Sequence, residues 1–269
     1  MIVCRSKSEI EKLRRSGRLV RQLLEETSRQ AHPGVTTLDL ERFVERRLRE
    51  VGARPAFKGY RGYPSCLCAS VNEEIIHSIP SGRRLKEGDI VSLDLGVILD
   101  GYYGDSALTV AVGGISEALQ RLTRVTRECL ELGIRQARAG NRVGDISWAV
   151  QQHAEENGYS VVREFVGHGV GRALHEEPQV PNYGRPGHGP LLKPGMVIAI
   201  EPMVNAGRAD VRVLKDKWTA VTADGQYSAH FEHMVAITPD GADVLTELDD
   251  GRLPAPDANL VSVAGQGRL

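Results

Sequence analysis

The run KEGDIVSLD, residues Lys86 to Asp94, closes the apolar pattern Ile90-Val91-Ser92-Leu93 on a carboxylate, and Leu95 follows it. An acid in that setting is at least partly buried, and a buried carboxylate is costly unless a cation partners it. Further along, KPGMVIAIE, Lys193 to Glu201, repeats the phrase: lysine, glycine, an apolar run and a closing carboxylate fall at identical offsets. The echo extends outward. Eighteen residues separate Gly34 from Gly52 and eighteen separate Gly140 from Gly158, each interval holding the second helix of a pair. His77-Ser78-Ile79-Pro80 is answered by His175-Glu176-Glu177-Pro178, and Asp105-Ser106-Ala107-Leu108 by Glu232-His233-Met234-Val235. Four matches in one order predict an internal duplication, with pseudo-repeats over residues 7–112 and 116–237. The predicted fold class is α+β: two helix–helix–strand halves related by a pseudo-twofold axis around a central antiparallel sheet. Each half alone would lack half of the acids, so residues 5–248 are expected to form a single domain. Residues 249–269, with Pro254, Pro256, Gly265 and Gly267, read as a flexible C-terminal tail.

Local signals place the helices. Ser6 and Glu9 form a capping box, and Ile10, Leu13, Val20, Leu23 and Leu24 give the first helix an apolar face expected to end near His32-Pro33-Gly34. Thr36 and Thr37 open a second helix through Leu40, Phe43, Val44 and Leu48, which Gly52 closes. Ser116 starts a third, expected to end near Gly140. A fourth is expected from Asp145 to Asn157, with Gly158 as its C-terminal glycine.

The chain has 269 residues, 41% hydrophobic and 26% charged, in the range of a soluble globular protein. A net charge of -1 argues against a specific nucleic-acid partner. No segment approaches the length of a membrane span, and the N-terminal residues lack the apolar stretch of a signal peptide. Cys4, Cys66, Cys68 and Cys129 form no CxxC pair; a reducing, cytoplasmic compartment is expected, with the cysteines as small apolar fillers.

Under the duplication, Asp94, Asp105, Glu201 and Glu232 converge near the axis. A hairpin turn around Leu99-Asp100-Gly101, centred between Leu99 and Asp100, would put Asp94 and Asp105 directly opposite each other. Four such acids call for about four positive charges, which two divalent ions held ~3.5–4 Å apart by bridging carboxylates supply; that is an arrangement for hydrolysis. Phe165-Val166-Gly167-His168-Gly169-Val170-Gly171 offers an imidazole between glycines that permit close approach. His77 and His175 hold equivalent places in the two halves and are expected to face the substrate from two sides. His153 reads as structural, and His32, His188, His230 and His233 as surface or supporting residues. The sequence has no GxSxG elbow, no HExxH and no GxxxxGK[ST] loop.

These stretches resemble the type I methionine aminopeptidases, a family of pita-bread fold. The resemblance lies in Phe165 to Tyr183, Ser70 to Pro80, Gly101 to Ser106, Ile200-Glu201-Pro202-Met203 and Ser228 to His233, and spans residues 5–248. It implies a dinuclear metallo-exopeptidase, a hydrolase that removes N-terminal methionine when the second residue is small. By resemblance, Asp94 binds one metal, His168 and Glu201 the other, and Asp105 and Glu232 bridge both. His77 and His175 contact the scissile amide and handle its protons, and Glu201 doubles as general base. The backbone carbonyls of Asn72, Glu74 and Ser228 resemble a monovalent-cation site. Phe57, Tyr60, Tyr63, Cys68, His77, Leu174, His175 and Trp218 resemble the wall of a methionine pocket, where a thioether packs well on aromatic edges and sulfur. Met234 stands where threonine is frequent, and Leu174 where a bulkier side chain is common. Only 26 residues separate His175 from Glu201, so the long insertion of the type II enzymes is absent.

The donor set suits manganese, iron or cobalt, with zinc as a further candidate. The expected partners are the N-termini of nascent polypeptides or peptides, with transient ribosome association among what the resemblance implies, and the chain is expected to be a monomer. Two other readings stand beside this one. One is a proline-directed aminopeptidase or prolidase-like enzyme on the same fold. The other is a non-catalytic binding relative, which would be expected to have lost ligands that this chain retains.

Overall fold

A computed structural model describes residues 1–248; the expected tail, residues 249–269, lies outside the described residues. Among the described residues, four α-helices carry the outer layer: α1 (Lys7–Ser28), α2 (Thr37–Glu50), α3 (Glu117–Gln136) and α4 (Val143–Glu156). Helix α1 starts where the capping box predicts. The Ser6 hydroxyl accepts from Glu9 N–H at 3.4 Å and the Glu9 carboxylate accepts from Ser6 N–H at 3.1 Å, satisfying two of the helix's otherwise orphaned donors. Thr36 and Asp39 do the same for α2. Helix α1 ends at Ser28, a turn earlier than expected. Helix α3 also stops short of Gly140, because Ala137 leaves helical backbone (ψ 67°) and the Asn141 side chain caps the freed Gln136 carbonyl at 2.9 Å.

The two halves repeat in detail. Gly34 and Gly140, Gly52 and Gly158, and Gly88 and Gly195 all take left-handed backbone, with φ of 95° and 91°, 69° and 81°, and 91° and 90°. Only glycine adopts that region without strain. The hydrogen bonds match too. Gly34 N–H donates to the Leu85 carbonyl and Gly140 N–H to that of Leu192; Gly88 N–H donates to Val112 and Gly195 N–H to Ile237. Each helix pair is thus tied to its strand by the same loop.

The strand Ile90–Leu99 pairs antiparallel with Tyr102–Ala111 on one side and with Leu67–Val71 and Arg54–Pro55 on the other. Its counterpart Val197–Ile200 lies in a five-stranded sheet between His233–Ile237 and Gly167–Gly169, with Ala242–Val244 and Glu176–Val180 at the edges. These two sheets meet through an isolated bridge between Ala107 and Glu232, where Glu232 N–H donates to the Ala107 carbonyl at 2.9 Å. One buried apolar cluster draws on both halves: Leu23, Leu40, Leu93 and Leu95 from the first, and Ile134, Ile146, Ile198 and Phe231 from the second. Helix α1 lies against Tyr102–Ala111 at Gly104, close enough that the Ser16 hydroxyl donates to the Tyr103 carbonyl at 3.1 Å. No helix among the described residues is long and apolar enough to cross a membrane.

Candidate metal centre and substrate pocket

The hairpin turn differs from expectation by one residue. Leu99 pairs with Tyr102, so Asp100 and Gly101 are the two turn residues, both with positive φ (51° and 77°), as an Asp-Gly hairpin turn requires. Asp94 therefore faces Ala107, and Asp105 faces Gly96. The two carboxylates are diagonal neighbours on one face, each opposite a small residue that leaves room beside it.

Strands from both halves bring the acids together. Asp94, Asp105, Glu201 and Glu232 are all buried, with 3–6% of their surface exposed. Burial pushes all four carboxyls up, and for Asp105, Glu201 and Glu232 mutual repulsion adds to it. One ligating atom each of Asp105, His168 and Glu232 lies within 4.8 Å of the others. His168 Nε2 is 3.5 Å from the Glu201 carboxylate and 3.8 Å from that of Asp105. Burial depresses the His168 pKa to about 3, so the ring is neutral. Its Nδ1 lies 2.9 Å from the Gly169 carbonyl, an acceptor, which puts the proton on Nδ1 and leaves the Nε2 lone pair facing two carboxylates. Acceptors thus face acceptors. Asp105 Oδ1 and Glu232 Oε1 are buried with no hydrogen-bond partner among the described residues. A donor set of this kind, oxygen-rich with one imidazole, fits hard or borderline divalent cations.

The eight residues expected to wall a substrate pocket also meet. Phe57, Tyr63, Cys68 and Leu174 form one buried apolar cluster, with Tyr60 and Trp218 packed against it. The Tyr63 and Trp218 rings meet edge-on at 5.1 Å, and His77 stands edge-on to Trp218 at 6.4 Å. Cys68 pairs with Asp94 across the sheet, so this apolar cluster borders the acids directly. The His175 ring lies against that of His168, with centroids 4.2 Å apart and the planes tilted at 59°. Burial, and then the neighbouring His175, lowers the His77 pKa to about 4. Of the three residues expected to offer carbonyls, Ser228 N–H donates to the Asn72 carbonyl at 2.9 Å, and Glu74 pairs with Val221 on the adjoining strand.

The sequence profile of metallopeptidase family M24 matches residues 11–239. The chain belongs to this family. Methionine aminopeptidase 1 of Bacillus subtilis is 51% identical over 248 residues, which cover 92% of this chain and all of that protein. The crystal structure of a methionine aminopeptidase from Thermotoga maritima superposes with a TM-score of 0.90 at 48% identity, over 92% of this chain and all of that one. The prolidase from Pyrococcus horikoshii shares the fold at 22% identity, with a TM-score of 0.75 over 93% of this chain and 65% of its own. The chain shares its pita-bread fold with both of these solved structures.

Three features of this M24 site were not read from the sequence. The Tyr60 hydroxyl lies 2.7 Å from His175 Nδ1. Glu176 accepts from the N–H groups of Arg172 and Ala173 at 2.9 and 3.1 Å and pairs with Arg5, shaping the loop that presents His175. His230 is buried with neither ring nitrogen partnered among the described residues, and burial takes its pKa down to about 3. The spacing of ionisable residues carries no signal for the Tyr60–His175 and Arg5–Glu176 pairings, because each joins distant segments of the chain, nor for His230, whose burial no local pattern marks.

Proposed function

We propose that this M24 protein is a methionine aminopeptidase: a metal-dependent hydrolase that removes N-terminal methionine when the second residue is small. The supporting observation is the junction of two features, an acid-rich centre drawn from both halves and an adjoining apolar cluster of Cys68, Leu174 and aromatic rings. A thioether suits such a wall, and relatives at about half identity carry the name methionine aminopeptidase.

In this reading Asp94, Asp105, His168, Glu201 and Glu232 hold two divalent ions, with manganese, iron or cobalt the best matches to the donor set and zinc a further one. Bound ions supply Lewis acidity and a nucleophilic water near neutral pH. The protein's own groups do the rest. Glu201, its carboxyl raised by burial and by Asp105, accepts the water proton. His175 donates to the oxygen of the scissile amide as charge develops there. His77, kept neutral by burial, faces the scissile amide and handles its proton. Phe57, Tyr60, Tyr63, Cys68, Leu174 and Trp218 receive the methionine side chain and exclude water. The backbone carbonyls of Asn72, Glu74 and Ser228 are proposed to hold a monovalent cation. Residues 5–248 act as one catalytic domain, and the protein works as a monomer on nascent chains in the cytoplasm, in transient contact with the ribosome.

The test compares release of the first residue from Met-Ala-Ser with that from a Xaa-Pro peptide, using purified protein loaded in turn with each metal. Methionine release is the expected outcome; preferential cleavage of the Xaa-Pro bond would replace this reading with the prolidase one.

A further inference from the structure

Tyr60 lies in a short turn, Tyr60–Gly62, whose backbone is tightly specified. Gly59 and Gly62 take left-handed φ of 87° and 90°, and Arg61 is held at φ 49° between them. Gly59 N–H donates to the Tyr63 carbonyl at 2.8 Å and Tyr63 N–H to that of Tyr60 at 2.9 Å. The turn aims the Tyr60 side chain across the pocket. Its ring centroid is 5.2 Å from that of His175, at 37°, and its hydroxyl is 2.7 Å from His175 Nδ1. No other hydrogen bond of this hydroxyl occurs among the described residues. Arg61 closes the outer side, its guanidinium 5.4 Å from the Tyr60 ring centre.

The direction of the hydrogen bond follows from acid strength. In a neutral imidazole one ring nitrogen carries the proton and the other accepts. A phenol is a stronger acid than a neutral imidazole N–H, and an imidazole nitrogen is a stronger base than a phenol oxygen. The better pairing is therefore O–H of Tyr60 onto the Nδ1 lone pair, which leaves the proton on Nε2.

We propose that Tyr60 is a positioning residue: by donating to Nδ1 it holds His175 as the Nε2–H tautomer, the form that can donate to the oxygen of the scissile amide. The inference rests on the aminopeptidase reading above and gives Tyr60 a task beyond walling the pocket. Losing a partner that orients a catalytic imidazole costs about 10–100-fold. Tyr60→Phe keeps the ring and removes only the hydroxyl.

The experiment measures kcat and KM on Met-Ala-Ser for metal-loaded wild type, Y60F, H175A and the double variant. It also records ¹⁵N shifts of the His175 ring in wild type and Y60F loaded with diamagnetic zinc, with H175A giving the assignment. Expected are a kcat lower by about 10–100-fold in Y60F with KM within about twofold, no further loss on adding Y60F to H175A, and an Nε2–H pattern in wild type that is lost in Y60F. A raised KM with unchanged kcat, additive losses in the double variant, or an Nδ1–H pattern in wild type would each overturn the assignment. A wild type that releases no methionine would refute the aminopeptidase reading instead, while the ring shifts still decide the role of Tyr60.

Discussion

Gly104→Ala tests how the first helix seats the hairpin that carries Asp105. A Cβ at Gly104 would lie 2.5 Å from the Ser16 carbonyl carbon and 3.0 Å from Gly17 N, both backbone atoms of α1. Neither can swing aside as a side chain could. Nor can the helix retreat freely, because Gly17 sits against the Leu245 backbone on its other side and a Cβ there would meet Leu245 O at 2.5 Å. Relief needs a shift of about 1 Å between α1 and the strand, breaking the Ser16–Tyr103 hydrogen bond and loosening Leu13 and Tyr102. Overpacking costs ~1–3 kcal/mol, and a clash with backbone on both sides puts this one near the top, at about 3 kcal/mol. For a chain of this size that lowers Tm by about 6–12 °C. The control is Gly101→Ala, three residues away. Nothing lies within 4 Å of a Cβ there, but φ is +77°, so only backbone strain of about 1 kcal/mol applies. Urea unfolding of both variants gives the ranking. Equal midpoints, or a Gly104→Ala protein as stable as wild type, would refute the idea that close backbone contact fixes α1 on the hairpin.

Glu41→Ala should cost about 2–4 kcal/mol in urea unfolding, because it orphans the buried N–H groups of Cys66 and Leu67, which its carboxylate accepts at 2.8 and 2.9 Å. Asp105→Asn should lower metal content and kcat by at least the ~10–100-fold seen for loss of an outer partner, measured by elemental analysis beside activity. Metal-free protein should lose stability as pH rises above about 6.5. Its buried carboxyls, with Asp94 pushed up to about 7, bind more protons folded than unfolded, so deprotonation opposes folding. The depressed histidines act in the opposite sense, but only below their unfolded pKa of about 6.5. Metal-loaded protein should stay level over the same window, and thermal melts at pH 6.5, 7.5 and 8.5 with and without chelator check this.

The duplicated phrase at Lys86 and Lys193, with the three further matches in the same order, made the architecture legible, because an apolar strand that ends on an acid is a strong constraint and an ordered repeat is stronger. Helix starts were legible for the same reason: Ser6 and Thr36 announce them through side-chain chemistry. Helix ends were less so, since Asn141 caps α3 from beyond the helix and no local pattern foretells that bond. The hairpin register was misjudged by one turn position. The choice between centring on Leu99 and Asp100 or on Asp100 and Gly101 rests on which two residues take positive φ, and there the Asp-Gly pair was the better guide. The carboxylates and His168 could be named from sequence, whereas the Tyr60–His175 and Arg5–Glu176 pairings could not, because they join chain segments that no periodicity connects.

The bridge from Ala107 to Glu232 has a kinetic corollary. Asp94 and Glu232 belong to segments far apart in the chain, so the acids gather only after most of the polypeptide has been laid down and its loops closed. A growing chain can finish its first hairpin early and still display only Asp94 and Asp105, a half-set with little hold on a dication. In the proposed reading, competence to bind a dication therefore arrives late, once the segment carrying Glu232 docks.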